Sequence, residues 1–132
     1  MKKIAVILIV SILALVSLIG VGAIYISSNM NLVVSESMAP TLHRGDVVIV
    51  EKNPDNIQVG DIVVYDAVWF PQPIIHRVIA IKNDSKGNIL YQMKGDNLPV
   101  PDPELVSKNQ ITSKVVNIIP EIGHTALQIR GL

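Results

Sequence analysis

Apolar positions along the chain change character once. From Ile4 to Ile26 there are 23 residues, 19 of them apolar and none charged. As a helix this stretch would be about 34 Å long, against a bilayer hydrocarbon core of about 30 Å, which predicts a membrane-spanning segment over 4–26. Lys2 and Lys3 flank its near end and no further charge appears before Glu36. The positive-inside bias then places residues 1–3 in the cytoplasm and residues 27–132 outside. A cleavable secretory signal is the rival, since Val21 and Ala23 fit a small-residue rule for cleavage after Ala23. The apolar stretch exceeds the roughly 7–15 residues of a signal-peptide core, so length favours an uncleaved anchor.

Beyond Ile26 the apolar positions come in short runs bounded by turn chemistry. Strands are predicted over 32–35, 47–51, 61–65, 74–82, 89–94 and 111–119. The intervening segments carry turn residues: His43-Arg44-Gly45-Asp46, Asn53-Pro54-Asp55-Asn56, Phe70-Pro71-Gln72-Pro73 and a hairpin loop from Asn83 to Asn88. Pro99, Pro101 and Pro103 predict an extended, irregular connection. Outside the anchor, Val and Ile number 27 and Leu only 7, and β-branched residues favour strands. The expected fold is an all-β domain over 27–132 preceded by a single N-terminal transmembrane helix.

Composition narrows the chemistry. With 11 Lys+Arg against 11 Asp+Glu the net charge is zero, and there is no basic run or aromatic platform, so nucleic acid is not an expected partner. The absence of cysteine removes disulfides, zinc knuckles, iron–sulfur clusters and a thiol nucleophile. No two histidines have ligand spacing and there is no Gly-rich phosphate loop, so neither metal nor cofactor is expected. Arg44-Gly45-Asp46 spells an adhesion tripeptide, but its Gly-Asp is expected simply to make a turn.

The nucleophile must then be Ser, Thr or Lys. Ser37 lies in Ser35-Glu36-Ser37-Met38-Ala39-Pro40-Thr41-Leu42, where a strand is expected to give way to a Pro-initiated turn. Such a bend exposes a hydroxyl and frees backbone N–H groups that can face a developing oxyanion. A serine before a turn is commonly only a turn residue. His43 and His124 sit beside glycines in apparent turns and are expected at the surface. His76 instead interrupts an apolar run from Ile74 to Ile81. Its alternatives are a satisfied core histidine or a general base, a role that suits a side chain titrating near neutrality. A base would need a carboxylate to orient it, and Asp96 and Asp102 are the available suppliers.

Four segments in order behind the anchor carry a resemblance. Ser35 to Asp46 (Ser-x-Ser-Met-x-Pro-Thr-Leu-x-x-Gly-Asp), Val59 to Tyr65, His76 to Ile79 (His-Arg-Val-Ile) and Lys94 to Asn97 (Lys-Gly-Asp-Asn) resemble type I signal peptidases. The resemblance spans residues 1 to about 123. Bacterial members of that family carry Lys where this chain has His76, so the likeness is to the archaeal and endoplasmic-reticulum branch. It implies that Ser37 is the nucleophile, His76 the general base and Asp102 the acid. Asp96 matches a supporting acid, and Ser35 matches a residue whose hydroxyl joins the Ser37 N–H in the oxyanion hole. Met38 and Pro40 match residues shaping the turn and the specificity pocket, and Arg77 is expected to partner one of the carboxylates.

The implied substrates are preproteins carrying signal peptides with small residues at −3 and −1. The implied surroundings are a lipid bilayer and, as protein partners, the secretion translocon or other signal peptidase subunits. Two departures stand out: Glu36 replaces the usual glycine between the serines and is expected to face solvent, and Leu98 stands where a second Asn is common. Two other classes are left. A self-cleaving repressor protease would need a DNA-binding domain and a catalytic Lys. A non-catalytic membrane-tethered β module would bind a partner at its apolar rim and leave Ser37 unreactive.

Overall fold

The computed structural model describes residues 1–120. Two units divide it, one ending at Met30 and one beginning at Asn31.

The first unit is helix α1, Lys2–Ser28. It extends the predicted segment by two residues at each end and is apolar on every side. Three of its serines are satisfied locally: Ser11, Ser27 and Ser28 donate to the carbonyls of Ile7, Ile24 and Tyr25 at 2.9, 3.0 and 2.9 Å. Such back-bonding lets a hydroxyl sit in hydrocarbon without an unpaired donor. Asn29 Nδ2 donates to the Tyr25 carbonyl at 2.8 Å, occupying one of the acceptors a helix end leaves open.

The remaining chain is mostly β, as its Val and Ile content predicts. Its strands are β1 (Met30–Leu32), β2 (Val47–Lys52), β3 (Ile62–Tyr65), β4 (Ile74–Asn83), β5 (Ile89–Lys94), β6 (Val106–Ser107) and β7 (Ile111–Ile119). They form one curled sheet in the order β1-β2-β7-β3-β4-β5-β6. The pairs β2/β7, β7/β3, β3/β4, β4/β5 and β5/β6 are all antiparallel.

One prediction needs correction. The strand expected over 32–35 ends at Leu32. Val33 bonds through its N–H and carbonyl to Asp46 and Gly45, both at 2.9 Å, which takes it out of a regular ladder. The turn it meets is made by Gly45, whose φ of 98° suits glycine, and by Asp46, whose carboxylate accepts the His43 N–H at 2.8 Å. Arg44-Gly45-Asp46 is therefore a structural turn. Strand β6 and the 3-10 turn Lys108–Gln110 were not predicted; a strand of two residues gives no periodicity to read.

The core lies on both faces of β3, whose four residues are all buried. Val63 and Tyr65 belong to a cluster with Val78, Tyr91, Met93, Val106 and Ile111, while Ile62 packs with Val33, Met38, Leu42, Val48 and Val50. This double burial explains why β3 reads as an unbroken apolar run rather than an alternating one. The register then places chemistry: Val63 stands opposite His76 and Ile62 opposite Arg77, so these neighbours on β4 project to opposite faces.

Candidate active site

Ser37 opens a tight turn held by its two largest apolar residues. Met38 and Leu42 are fully buried, and the Leu42 N–H donates to the Met38 carbonyl at 3.0 Å. Ser37 itself is half-buried and lines a cleft of about 1100 Å³ shared with Val34, Ser35, Trp69, Phe70 and His76. The hydroxyls of Ser35 and Ser37 lie 3.2 Å apart, within hydrogen-bonding reach. Among the described residues no hydrogen bond joins the Ser37 hydroxyl to His76. Met38 and Pro40 flank Ser37 differently: Met38 is locked into the core, whereas Pro40, after a cis peptide bond, is exposed.

His76 and Asp102 form the buried half of the site, with side chains 5% and 3% exposed. His76 Nδ1 lies 2.8 Å from one Asp102 carboxylate oxygen and 3.0 Å from the other. An ionised carboxylate only accepts, so this contact puts the proton on Nδ1 and leaves the Nε2 lone pair free. Asp102 comes from the Pro-rich connection and is anchored by its backbone. Its N–H donates to the Met93 carbonyl at 2.9 Å and its own carbonyl accepts Gln92 Nε2 at 3.2 Å. Burial alone would raise the Asp102 carboxyl, but hydrogen bonds from His76 and Tyr65 outweigh it and hold the group below its ordinary value.

Asp96 has other partners. It accepts Arg77 Nε and Nη2 at 2.9 and 2.7 Å and the Thr41 hydroxyl at 2.6 Å. Arg77 Nη1 also reaches the Gly60 carbonyl at 2.7 Å. The arginine hydrogen bonds pull the Asp96 carboxyl below its ordinary range and raise Arg77 in turn. Arg77 is thus a carboxylate partner, and the carboxylate is Asp96. Because the Asp96 carboxyl is lowered in the fold, its stabilising contribution is present above its unfolded value of about 3.9 and is lost as pH falls through the folded one. Arg77→Ala is expected to cost about 1 kcal/mol at neutral pH, discounted for partial exposure, or roughly 4–8 °C in Tm. That gap should narrow below about pH 4 in thermal melts, and an unchanged Tm at neutral pH would contradict the assignment.

Glu36 faces solvent, as expected, and its carboxylate accepts the Arg44 N–H at 2.9 Å. His43 is exposed, and His124 lies outside the described residues.

Sequence reasoning passed over Gly95, Asn97 and the hydroxyls of Thr41 and Tyr65. Asn97 clamps the Ser37 turn from the loop after β5: its N–H donates to the Ser37 carbonyl at 2.9 Å and its Nδ2 to the Glu36 carbonyl at 3.1 Å. Gly95 allows this approach. A Cβ there would sit 2.5 Å from the Ser37 carbonyl oxygen and 3.0 Å from His76 Nε2. Leu98 could rotate away from such a methyl, but a backbone carbonyl and a packed ring cannot. Gly95→Ala is therefore expected to destabilise by about 1–3 kcal/mol and to separate Ser37 from His76. The melting temperature should fall, and an equally stable variant would contradict this packing. The signal available in sequence was Lys94-Gly95-Asp96-Asn97, where a glycine precedes two polar residues at a strand end.

Comparison with known proteins gives a consistent picture. The family described as "Signal peptidase, peptidase S26" matches residues 3–112. An uncharacterized protein of Methanocaldococcus jannaschii is 30% identical, with 78% of this chain and 84% of that protein covered. The signal peptidase complex catalytic subunit SEC11 of Leptosphaeria maculans is 33% identical over 76% of this chain and 63% of its own length. Human signal peptidase complex catalytic subunit SEC11C is 33% identical over 69% of this chain and 52% of its own. The chain thus spans between about half and two thirds of the length of these SEC11 relatives.

Proposed function

Since the chain belongs to the signal peptidase family, peptidase S26, and to its archaeal and endoplasmic-reticulum type, we propose that it is a membrane-anchored serine endopeptidase that removes signal peptides from preproteins. The observation that carries this reading is that His76, held by the buried Asp102 carboxylate, lines the same cleft as Ser37.

In this mechanism Ser37 Oγ attacks the scissile carbonyl while His76 Nε2 takes its proton, and Asp102 holds the imidazolium that forms. The tetrahedral oxyanion is met by the Ser37 N–H and the Ser35 hydroxyl. His76 then protonates the departing amine, leaving the signal peptide esterified to Ser37. A water molecule, deprotonated by His76, hydrolyses that ester. Asp96, tied to Arg77 and Thr41, keeps the Gly95–Asn97 loop against the Ser37 turn rather than entering the proton relay.

The cleft favours an extended peptide. It is bordered by Val34 and Ser35, which lie outside the strand ladder, and its walls are largely apolar. Backbone pairing along that edge would supply affinity and shallow pockets would select small residues at −3 and −1. Lys2 and Lys3 support a cytoplasmic N-terminus, with residues 27–132 on the opposite side. The SEC11 relatives are named as catalytic subunits of a complex, so further signal peptidase subunits and the secretion translocon are proposed partners.

The test is cleavage of a purified preprotein in detergent by the wild-type and Ser37→Ala proteins. The wild type should cut and the variant should not. An intact substrate with both, bound equally well, would favour a peptide-binding β module instead.

A further inference from the structure

Tyr65 carries a buried hydroxyl that the mechanism above leaves unused. The side chain is fully buried at the end of β3, on the same face as Val63, which stands opposite His76. Its ring packs 6.5 Å from the His76 ring, tilted by 56°. Its neighbours are apolar: Val63, Val78, Met93 and Val106 belong to the same cluster. A phenylalanine would fill that space, so the hydroxyl must be accounted for by what it touches, since an unpaired buried hydroxyl is costly. Among the described residues it hydrogen-bonds to one group. Tyr65 Oη donates to Asp102 Oδ2, the oxygen that also lies 2.8 Å from His76 Nδ1.

We propose that Tyr65 is a positioning residue that shares the Asp102 carboxylate with His76 and thereby sets how strongly Asp102 holds the imidazolium. This rests on the reading of His76 as base and Asp102 as acid. One oxygen accepting two donors is a weaker acceptor for each, so the phenol draws charge away from the histidine. The phenol itself remains a donor throughout, because burial, and then the bond and charge of Asp102, push its ionisation far above neutrality.

The other titratable and charged groups are committed elsewhere or sit apart. Lys52 of β2 and Asp66 of the β3–β4 connection border the cleft without a hydrogen bond to His76 or Asp102. Arg77 of β4 is bound to Asp96. Lys94 of β5 donates to the Gly95 carbonyl, and Tyr91 of β5 lies in the apolar cluster. Lys114 of β7 faces Glu51 and Asp61, and Glu36 accepts the Arg44 N–H. Among the described residues, Tyr65 and His76 are the hydrogen-bond donors to the Asp102 carboxylate.

Removing the phenol donor should strengthen the Asp102–His76 interaction, stabilise the imidazolium and make the base usable only at higher pH. The experiment measures kcat/KM against pH for the full-length Tyr65→Phe protein in detergent, with a preprotein substrate. The His76 imidazole is titrated by NMR in the Ser37→Ala and Ser37→Ala/Tyr65→Phe proteins. Both the acidic limb and the imidazole midpoint should move upward by about half a pH unit or more. Turnover on the alkaline plateau should stay within about tenfold of wild type. Replacing the three tyrosines by 3-fluorotyrosine, a stronger donor of similar size, should move both midpoints downward and decides the matter if the Phe variant does not fold. Unmoved midpoints, or a parallel loss of rate at every pH, would overturn the proposal and reduce Tyr65 to a packing residue. Asp102→Asn separates the two readings: if it kept wild-type turnover, the acid assignment would fail first and the role of Tyr65 with it.

Discussion

Turnover of a preprotein by the His76→Ala protein is expected to fall by about 10⁴-fold or more, with KM changed only a few-fold. The reason is local. His76 is set into β4 opposite Val63 and held through Nδ1 by a buried carboxylate, so its Nε2 is the free basic nitrogen beside the Ser37 turn. No other histidine among the described residues borders that cleft, and Lys52, which does, sits on a different strand, β2. The truncation removes a base without touching the apolar walls that would hold a peptide. A split between kcat and KM is therefore the informative readout. A fall confined to KM would mean that His76 contributes binding and not proton transfer.

Asp102→Ala is expected to lower turnover by about 10³–10⁴-fold, and Asp96→Ala by much less. The two acids lie six positions apart; residue chemistry offered both, and the family resemblance pointed to Asp102. Their partners separate them: Asp102 is buried on His76, whereas Asp96 is spent on Arg77 and Thr41. Losing Asp102 frees the His76 ring to rotate and to take the wrong tautomer. Losing Asp96 loosens the loop that carries Gly95 and Asn97 and leaves Arg77 without its carboxylate, so Asp96→Ala should show mainly as a lower Tm. Steady-state rates and melting curves on both variants decide it. The reverse order of rates would move the acid role to Asp96.

Much of the fold was legible because its signals are local. An uncharged apolar run marks α1, and Val/Ile-rich runs between turn residues mark β2, β3, β4, β5 and β7 within a residue or so. What failed was context. Val33 to Ser35 look like a strand by composition, but Val33 is claimed by the Gly45–Asp46 turn. The two residues of β6 are too few to show alternation. Among candidate site residues, His76 stood out because a histidine inside an apolar strand is out of place, whereas Ser37, an ordinary residue before a turn, was marked by the resemblance carried by Ser35 to Asp46. Asp102 was named as the acid only through the family resemblance; the physical difference, that Asp102 meets His76 and Asp96 meets Arg77 on opposite faces of β4, is not readable from residue types alone. Tyr65 looked like ordinary strand filler, and only its hydroxyl contact distinguishes it. Gly95 is needed for a close approach between segments 58 residues apart, from Ser37 to Gly95, and nothing local announces that.

The central claim is that Ser37 cuts preproteins at the signal-peptide junction, and the N-terminus it creates tests that claim most directly. A preprotein is incubated with the wild-type or the Ser37→Ala protein in detergent and the fragments are identified by mass spectrometry. The account predicts one new N-terminus with the wild type, following a small residue with another small residue two positions before it, and none with the variant. The same fragment from Ser37→Ala, or cleavage scattered along the substrate, would contradict it.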